Sequence, residues 1–244
     1  MKQVFDKPKS LYDARTHYCP GCGHGTIHRL IAEVIDELAI RGKVIAVAPV
    51  GCAVIAYDYW DFDTTEAAHG RPPAVATGIK RMKPESVVFT YQGDGDLAAI
   101  GTAEIIHAAN RGENFSVFFV NNGTYGMTGG QMAPTTLAAQ KTTTTPRGRN
   151  VKTAGYPLKI SEMLAILPGV CYLERTSTHS PQAIFKTKAA IKKSFMKQIE
   201  KKGFSMVEIL SSCPTYWKLS AADANRRIEK EIAPYYPLGV LVER

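Results

Sequence analysis

Cys19 and Cys22 stand in the run Tyr18-Cys19-Pro20-Gly21-Cys22-Gly23-His24, just ahead of an apolar helical pattern. A Cys-x-x-Cys turn points both sulfurs inward and can grip one metal centre. Cys52 follows Gly51 at the end of one apolar run, and Cys213 follows Ser212 at the end of another. All three segments leave strands or enter helices, so four thiolates can converge. Four thiolates suit either Zn²⁺ or a 4Fe-4S cluster; zinc ribbons usually show two close Cys-x-x-Cys pairs, and this chain has one. The fifth cysteine, Cys171, lies inside the apolar stretch Val170-Cys171-Tyr172-Leu173 and is expected to be a small buried hydrophobe. His24 and His28 are near enough to the pair to serve as zinc ligands. His28 lies one position from the apolar stripe, so a satisfied histidine on the helix surface is the plainer expectation. The sequence identifies no partner for His17.

A second constellation is Gln92-Gly93-Asp94-Gly95-Asp96, which ends the apolar run 86–91, followed by Asn121-Asn122 at the end of the run 115–120. Glycines let a backbone approach a phosphate closely, and a helix N-terminus favours an anion. Asp94 adds a hard oxygen donor suited to Mg²⁺, and Asn122 can bring a neutral amide oxygen to the same ion. Asp96 reads as the N-cap of the helix that follows. A lone Gly-Asp-Gly often marks only a turn. Its pairing with Asn-Asn across a strand–helix–strand pattern makes the signal specific.

The elements that must hold these groups follow from periodicity. Ile27, Leu30, Ile31, Val34, Ile35 and Leu38 mark an amphipathic helix that stops at Gly42. Near-continuous apolar runs at 44–50, 86–91, 115–120, 170–173 and 204–210 alternate with helical segments at 74–82, 97–111 and 181–202. Ser180 is the N-cap of the last helix, and Pro181 opens its first turn. Such strands imply an α/β fold, a mostly parallel sheet with helices on both faces, in which both turns above lie at the carboxyl edge where ligands bind. Residues 123–157 are rich in Gly, Thr and Pro and carry no period; a loop that long in a compact domain is usually functional. Residues 220–244 read as a short helix and a tail that packs on a neighbour. There is no internal repeat, and 1–244 is expected to be a single domain with an N-terminal Cys-x-x-Cys segment.

The spacing of Gly-Asp-Gly and Asn-Asn resembles the diphosphate-binding motif of thiamine diphosphate enzymes. That resemblance implies that Asp94, the Asn122 side chain and the Thr124 carbonyl hold Mg²⁺. From about Tyr18 to Trp217 the chain is similar to the β subunit of 2-oxoacid:ferredoxin oxidoreductases, on Cys-Pro-Gly-Cys-Gly-His, the Pro49-Val50-Gly51-Cys52 turn, His69-Gly70-Arg71 with Ala76-Thr77-Gly78, Gly-Asp-Gly-Asp, and Asn-Asn-Gly-Thr-Tyr-Gly-Met-Thr-Gly-Gly-Gln. The resemblance implies a 4Fe-4S cluster on Cys19, Cys22, Cys52 and Cys213. It also implies thiamine diphosphate against Gly51, Cys52, His69, Gly93, Asp94, Gly95, Asp96, Asn122, Thr124, Tyr125, Gly126, Met127 and Thr128. His69 is the candidate proton carrier, with fixation by packing as the plainer alternative. The reaction implied is coenzyme A-dependent oxidative decarboxylation of a 2-oxoacid to acyl-CoA and CO₂, with electrons passed through the cluster to ferredoxin.

Thiamine enzymes need a glutamate that activates the aminopyrimidine, and Glu33, Glu66 and Glu104 have no context that nominates one. The resemblance therefore implies α and γ subunits and a small ferredoxin-like δ subunit. Ala53-Val54-Ile55-Ala56 after Cys52 puts no cation beside the site, which suits the branched tail of 2-oxoisovalerate better than 2-oxoglutarate or pyruvate, although Arg71 could supply a cation. Two rival readings explain less. A cluster-free thiamine diphosphate decarboxylase leaves four cysteines idle, and a non-enzymatic metal-binding scaffold leaves Gly-Asp-Gly…Asn-Asn unexplained.

Composition sets the outer bounds. The 244 residues are 45% hydrophobic and 21% charged, an ordinary globular balance. No apolar run is long enough to span a membrane, and the N-terminal nine residues lack the core of a signal peptide, so a cytoplasmic location is expected. The net charge of +8 includes seven lysines between 186 and 202. A solvated lysine-rich helix is the plain reading, and attraction to an acidic ferredoxin the functional one. No nucleic-acid motif accompanies the charge.

Overall fold

The apolar runs become strands of one sheet in a computed structural model that describes residues 6–244. The strands are β1 Val44–Ala48, β2 Asp63–Glu66, β3 Val87–Gly93, β4 Ser116–Asn121, β5 Val170–Ser177, β6 Phe204–Leu210 and β7 Gly239–Glu243. They form a seven-stranded sheet in the order β2-β1-β3-β4-β6-β5-β7, parallel throughout except where β7 pairs antiparallel with β5. Helices α1 Gly23–Glu37, α2 Pro72–Met82, α3 Thr102–Asn110, α4 Val151–Ala154, α5 Ile160–Ala165, α6 Pro181–Ile199, α7 Pro214–Trp217, α8 Ala221–Arg227 and α9 Ala233–Tyr235 connect and cover it.

Strand alternation divides the core. In β4, Phe118 and Val120 face the layer holding Ile31, Val34, Ile191 and Phe195 of α1 and α6. Val117 and Phe119 face Ala76, Ile105 and Leu164 of α2, α3 and α5. Each fully buried side chain of this size contributes about 1.5–3 kcal/mol. The Phe118 ring packs edge-on to Phe195 at 5.1 Å and tilted to Phe89 at 5.4 Å.

Several expectations need correcting. The tail packs on the chain itself: β7 completes its sheet, and Ile228, Ile232 and Tyr236 pack with Leu210. β2 escaped the periodic reading because its residues, Asp63-Thr64-Thr65-Glu66, carry no apolar run, and β7 because its run, Val240-Leu241-Val242, is too short to mark a strand. α1 ends at Glu37, well before Gly42, because Ala39 takes φ +54. The helix expected at 97–111 opens with a π turn over Asp96–Ile100 before α3. Gly101 explains this turn, since a Cβ there would meet Asp96 O at 2.6 Å and Gly70 O at 2.8 Å. Ser180 does cap α6, accepting from the Ala183 amide, with Pro181 in the first turn.

The lysine run of α6 is a solvated, paired face. Lys188 meets Glu33 and Glu37, Lys192 meets Glu37, Lys193 and Lys197 meet Glu243, and Lys201 meets Glu85. Such surface pairs contribute about 0–1 kcal/mol each.

Candidate active site

The chain passes from β1 outward to β2 and then back across β1 to β3, so the strand order reverses between β1 and β3. Open α/β sheets hold ligands in the crevice at such a reversal. Here the loops after β1, β3 and β4 enclose a cleft of about 240 Å³. Every residue expected to touch the cofactor lines it: Gly51, Cys52, His69, Gly93, Asp94, Gly95, Asp96, Asn122, Thr124, Tyr125, Gly126, Met127 and Thr128. His24, Pro49, Val50 and Ala53 also line it. A larger hollow of about 1040 Å³, between the N-terminal segment, α1 and α6, contains none of the expected residues.

Asp94 is the buried carboxylate of the cleft. Its Oδ1 accepts from the Gly95 amide at 2.9 Å; its Oδ2 accepts from the Gly123 amide at 2.7 Å and the Thr135 hydroxyl at 2.6 Å. Burial raises its pKa from 3.8 to about 6, against the lowering effect of those hydrogen bonds. A carboxylate offers about four lone-pair sites, so three donors leave room for a cation. Asn122 Oδ1 accepts from the Thr124 amide at 3.1 Å in the same turn. Asn121 points to the opposite face and donates to Glu208, so strand alternation separates the two asparagines. Asp94, Asn122 and Thr124 all line the cleft, and their carboxylate, amide and carbonyl oxygens are donors of the kind a hard divalent cation takes.

Asp96 is not an N-cap. Gly95 is already in helical conformation, which places Asp96 within the helical turn. The carboxylate instead ties loops together. Oδ1 accepts from the Gly70 amide at 3.0 Å and the Val50 amide at 3.3 Å and lies 2.9 Å from His69 Nδ1; Oδ2 accepts from Gln92 Nε2 at 2.6 Å. His69 Nδ1 also meets the Val50 carbonyl at 3.1 Å. The glycines divide as well. Gly93 and Gly51 face open space, whereas the Tyr125 ring covers Gly95 so closely that a Cβ there would lie 2.1 Å from it.

Cys19, Cys22, Cys52 and Cys213 line a second cavity of about 50 Å³, which shares Cys52, Asn122 and Gly126 with the cleft. Gly21 takes φ +76 to close the Cys-x-x-Cys turn, and the Cys22 amide donates to Cys19 O at 3.0 Å. The Ser212 hydroxyl donates to Gly21 O at 2.8 Å, which locks this turn to the exit of β6 beside Cys213. Burial pushes the Cys22 thiol up to about 11 and the Cys52 and Cys213 thiols up to about 12, with neighbouring thiols adding to each shift. Thiols so placed ionise only against compensating positive charge. Among the described residues no three such side chains close on a single ion. Four thiols around one cavity suit either a tetrahedral ion, with sulfurs at about 2.3 Å from zinc, or a cluster of several atoms. Cys171 is buried in β5, away from this cavity.

The histidines differ from expectation. His28 is buried rather than exposed, with its ring stacked on Trp60 at 4.4 Å. His17 has partners: Nδ1 bonds Tyr59 Oη and Nε2 bonds Cys52 O, both at 2.8 Å. His24 lies at the cleft, with Nδ1 2.6 Å from Tyr91 Oη. Neither Asp96's role as a tie nor His24's place at the cleft could be read from sequence, because both depend on which loops the sheet brings together.

Among the described residues, no arginine, lysine or glutamate lines the cleft. Arg71 is held by Glu104 and by the Ile100 carbonyl at 2.9 Å. Glu33 pairs with Arg29 and Lys188, and Glu66 is exposed on β2. Of the four residues after Cys52, Ala53 lines the cleft, Val54 and Ile55 are half-buried, and Ala56 turns into the core.

Residues 49–209 match the family described as thiamine pyrophosphate enzyme, C-terminal TPP binding domain. The chain is 49% identical to the ketoisovalerate oxidoreductase subunit VorA of Methanothermobacter thermautotrophicus over 97% of its own length and 52% of that protein. It is 40% identical to the 2-oxoglutarate synthase subunit KorB of Methanocaldococcus jannaschii, over 82% of its own length and 70% of that protein. It thus spans about half the length of the VorA relative. The solved 2-oxoglutarate:ferredoxin oxidoreductase from Magnetococcus marinus, with 2-oxoglutarate, coenzyme A and succinyl-CoA bound, superposes with a TM-score of 0.81 at 28% identity, covering 100% of this chain and 87% of that one. With the carboxylate corner, the cysteine cavity and these relatives together, the chain belongs to the thiamine diphosphate-binding subunits of the 2-oxoacid:ferredoxin oxidoreductase family.

Proposed function

We propose that the cleft holds thiamine diphosphate through Mg²⁺ on Asp94, Asn122 and the Thr124 carbonyl, beside a 4Fe-4S cluster on Cys19, Cys22, Cys52 and Cys213, and that the complex built with its partner subunits oxidatively decarboxylates 2-oxoisovalerate to an acyl-CoA. The observation that carries this reading is the shared wall: Cys52, Asn122 and Gly126 line both cavities, so cofactor and cluster would be neighbours. When bound, thiamine diphosphate supplies the carbanion chemistry that releases CO₂ from a 2-oxoacid, and the cluster supplies one-electron transfer to ferredoxin. The chain's own residues supply position and charge. Asp94 would offset the cation, the helical turn after Gly95 would favour the diphosphate at its N-terminal end, and Asp96 fixes the loops carrying Val50 and His69. His69, with Nδ1 held by Asp96 and Val50, turns its remaining nitrogen toward moving a proton in the cleft.

The absence of a glutamate among the lining residues, and a volume below the 300–1,000 Å³ of most ligand sites, support completion by an α subunit that brings the pyrimidine-activating glutamate. A γ subunit would serve coenzyme A, and a ferredoxin-like δ subunit would pass electrons to ferredoxin. No helix among the described residues is long and apolar enough to cross a membrane, which agrees with a cytoplasmic complex. Residues 1–5, part of the segment expected to lack a signal peptide, lie outside the described residues.

Ala53 at the cleft, with no cation beside it, supports a branched apolar tail, where each buried methylene contributes about 0.8 kcal/mol. The ketoisovalerate relative points the same way, and the 2-oxoglutarate relative keeps that acid as the alternative. In the complex reconstituted with its partner subunits, kcat/KM for 2-oxoisovalerate should exceed that for 2-oxoglutarate or pyruvate. A clear preference for 2-oxoglutarate would place the tail pocket on another subunit.

A further inference from the structure

His24 is the second residue of α1 and is 2% exposed, yet it lines the cleft. Its ring is held on two sides. Tyr18 stacks on it at 5.3 Å with planes 11° apart, and Tyr91 Oη meets Nδ1 at 2.6 Å. Tyr91 is fully buried, and burial keeps its phenol protonated. A buried hydroxyl must donate somewhere, and His24 Nδ1 is the acceptor within reach. The proton of a neutral ring therefore sits on Nε2; a charged ring would carry one there too. Among the described residues Nε2 has no hydrogen-bond partner, and it is not among the buried side-chain atoms left unpaired. It is therefore open to the cleft, the cavity that His24 lines.

We propose that His24 is a catalytic residue of this subunit, its Nε2–H donating a hydrogen bond to an oxygen of the 2-oxoacid bound in the cleft. The assignment rests on the reading of the cleft as the cofactor and substrate site. Its chemistry is that of a preorganised donor. The carbonyl oxygen of a 2-oxoacid gains negative charge when its carbon is attacked, and an N–H already fixed in place stabilises that charge without reorganising. An imidazole in the first turn of a helix is also kept neutral by the helix dipole, which suits donation without proton loss. Tyr91 acts through His24 as a positioning residue, fixing the ring and its tautomer.

The test uses the complete complex, anaerobically purified, with 2-oxoisovalerate and 2-oxoglutarate as substrates. His24→Phe keeps a flat ring against Tyr18 and removes the donor, and His24→Gln restores an amide donor near the Nε2 position. The expected result for His24→Phe is a loss of about 100-fold in kcat/KM, the scale of one lost oxyanion donor. Iron content and thiamine diphosphate affinity should stay within twofold of wild type, and His24→Gln should recover about tenfold. A value for His24→Phe within threefold of wild type, or equal damage in both variants, overturns the assignment. Should His24→Phe lose iron, Tyr91→Phe decides: it leaves the histidine in place but frees the ring, and an unchanged kcat/KM there overturns the proposal. Asp94→Ala separates the two levels of inference. Intact cofactor affinity in Asp94→Ala sinks the reading of the cleft, whereas lost affinity beside a fully active His24→Phe sinks only the role of His24.

Discussion

Asp94 shows how the site uses destabilised residues. Its folded pKa of about 6 lies above the ordinary 3.8 because burial penalises the charged form. Between those values the folded chain binds more protons than the unfolded one, so the group's contribution to stability is present below about pH 4 and is lost as pH rises through about 6. The full loss is about 3 kcal/mol at most, taking 1.36 kcal/mol per pKa unit. The fall in stability of the metal-free protein from pH 4 to pH 6.5, measured by urea denaturation, should be smaller in Asp94→Asn than in wild type. Excess Mg²⁺ with thiamine diphosphate should flatten the wild-type curve. Parallel curves for the two proteins would show that Asp94 titrates normally. Sequence alone disclosed that Asp94 is a carboxylate next to Asn122. It could not disclose the three donors on Asp94, because the Thr135 hydroxyl arrives from a loop 41 residues away.

The element that delivers Thr135 is the irregular stretch after β4, recognised from its length and composition but not from any period. Arg149 organises it. Its guanidinium donates to the carbonyls of Ala133, Pro134, Thr136, Ala154, Gly155 and Tyr156, at 2.7 to 3.3 Å. Thr136 and Gln140 both donate to Gly123 O, and Tyr236 Oη donates to Thr135 O, so the loop grips the Asn-Asn-Gly turn while the C-terminal segment grips the loop. Lysine has three donors and no planar fork, so Arg149→Lys leaves carbonyls unpaired, at about 1–3 kcal/mol each. Arg149→Lys should lower stability by about 2–3 kcal/mol and open residues 132–158 to limited proteolysis. An unchanged urea midpoint and cleavage pattern would contradict that role. The buried parallel strands were legible because burial on both faces leaves an apolar run. The edge strands were not: β2 is polar throughout, and the apolar run of β7 is only Val240-Leu241-Val242.

At the scale of the molecule, the sheet brings loop ends from β1, β3, β4 and β6 to one edge, and with the Cys-x-x-Cys turn they surround two adjoining cavities. The proposed division of labour follows: this chain would present the diphosphate corner and the cysteines, and a partner subunit the glutamate. The isolated chain should therefore show negligible 2-oxoacid-dependent dye reduction until its partner subunits are added. On the proposed function, one edge of the sheet holds a metal-bridged cofactor and a cluster side by side through separate residues. The most direct measurement is iron, sulfide and thiamine analysis of the anaerobically purified complex, comparing the wild-type subunit with Cys213→Ser, Cys171→Ser and Asp94→Ala. The wild-type subunit should contribute about four irons and one thiamine diphosphate. Cys213→Ser should lose those irons and keep the thiamine, Asp94→Ala should do the reverse, and Cys171→Ser should keep both. Stoichiometric zinc in place of iron, or full thiamine content in Asp94→Ala, would contradict the account.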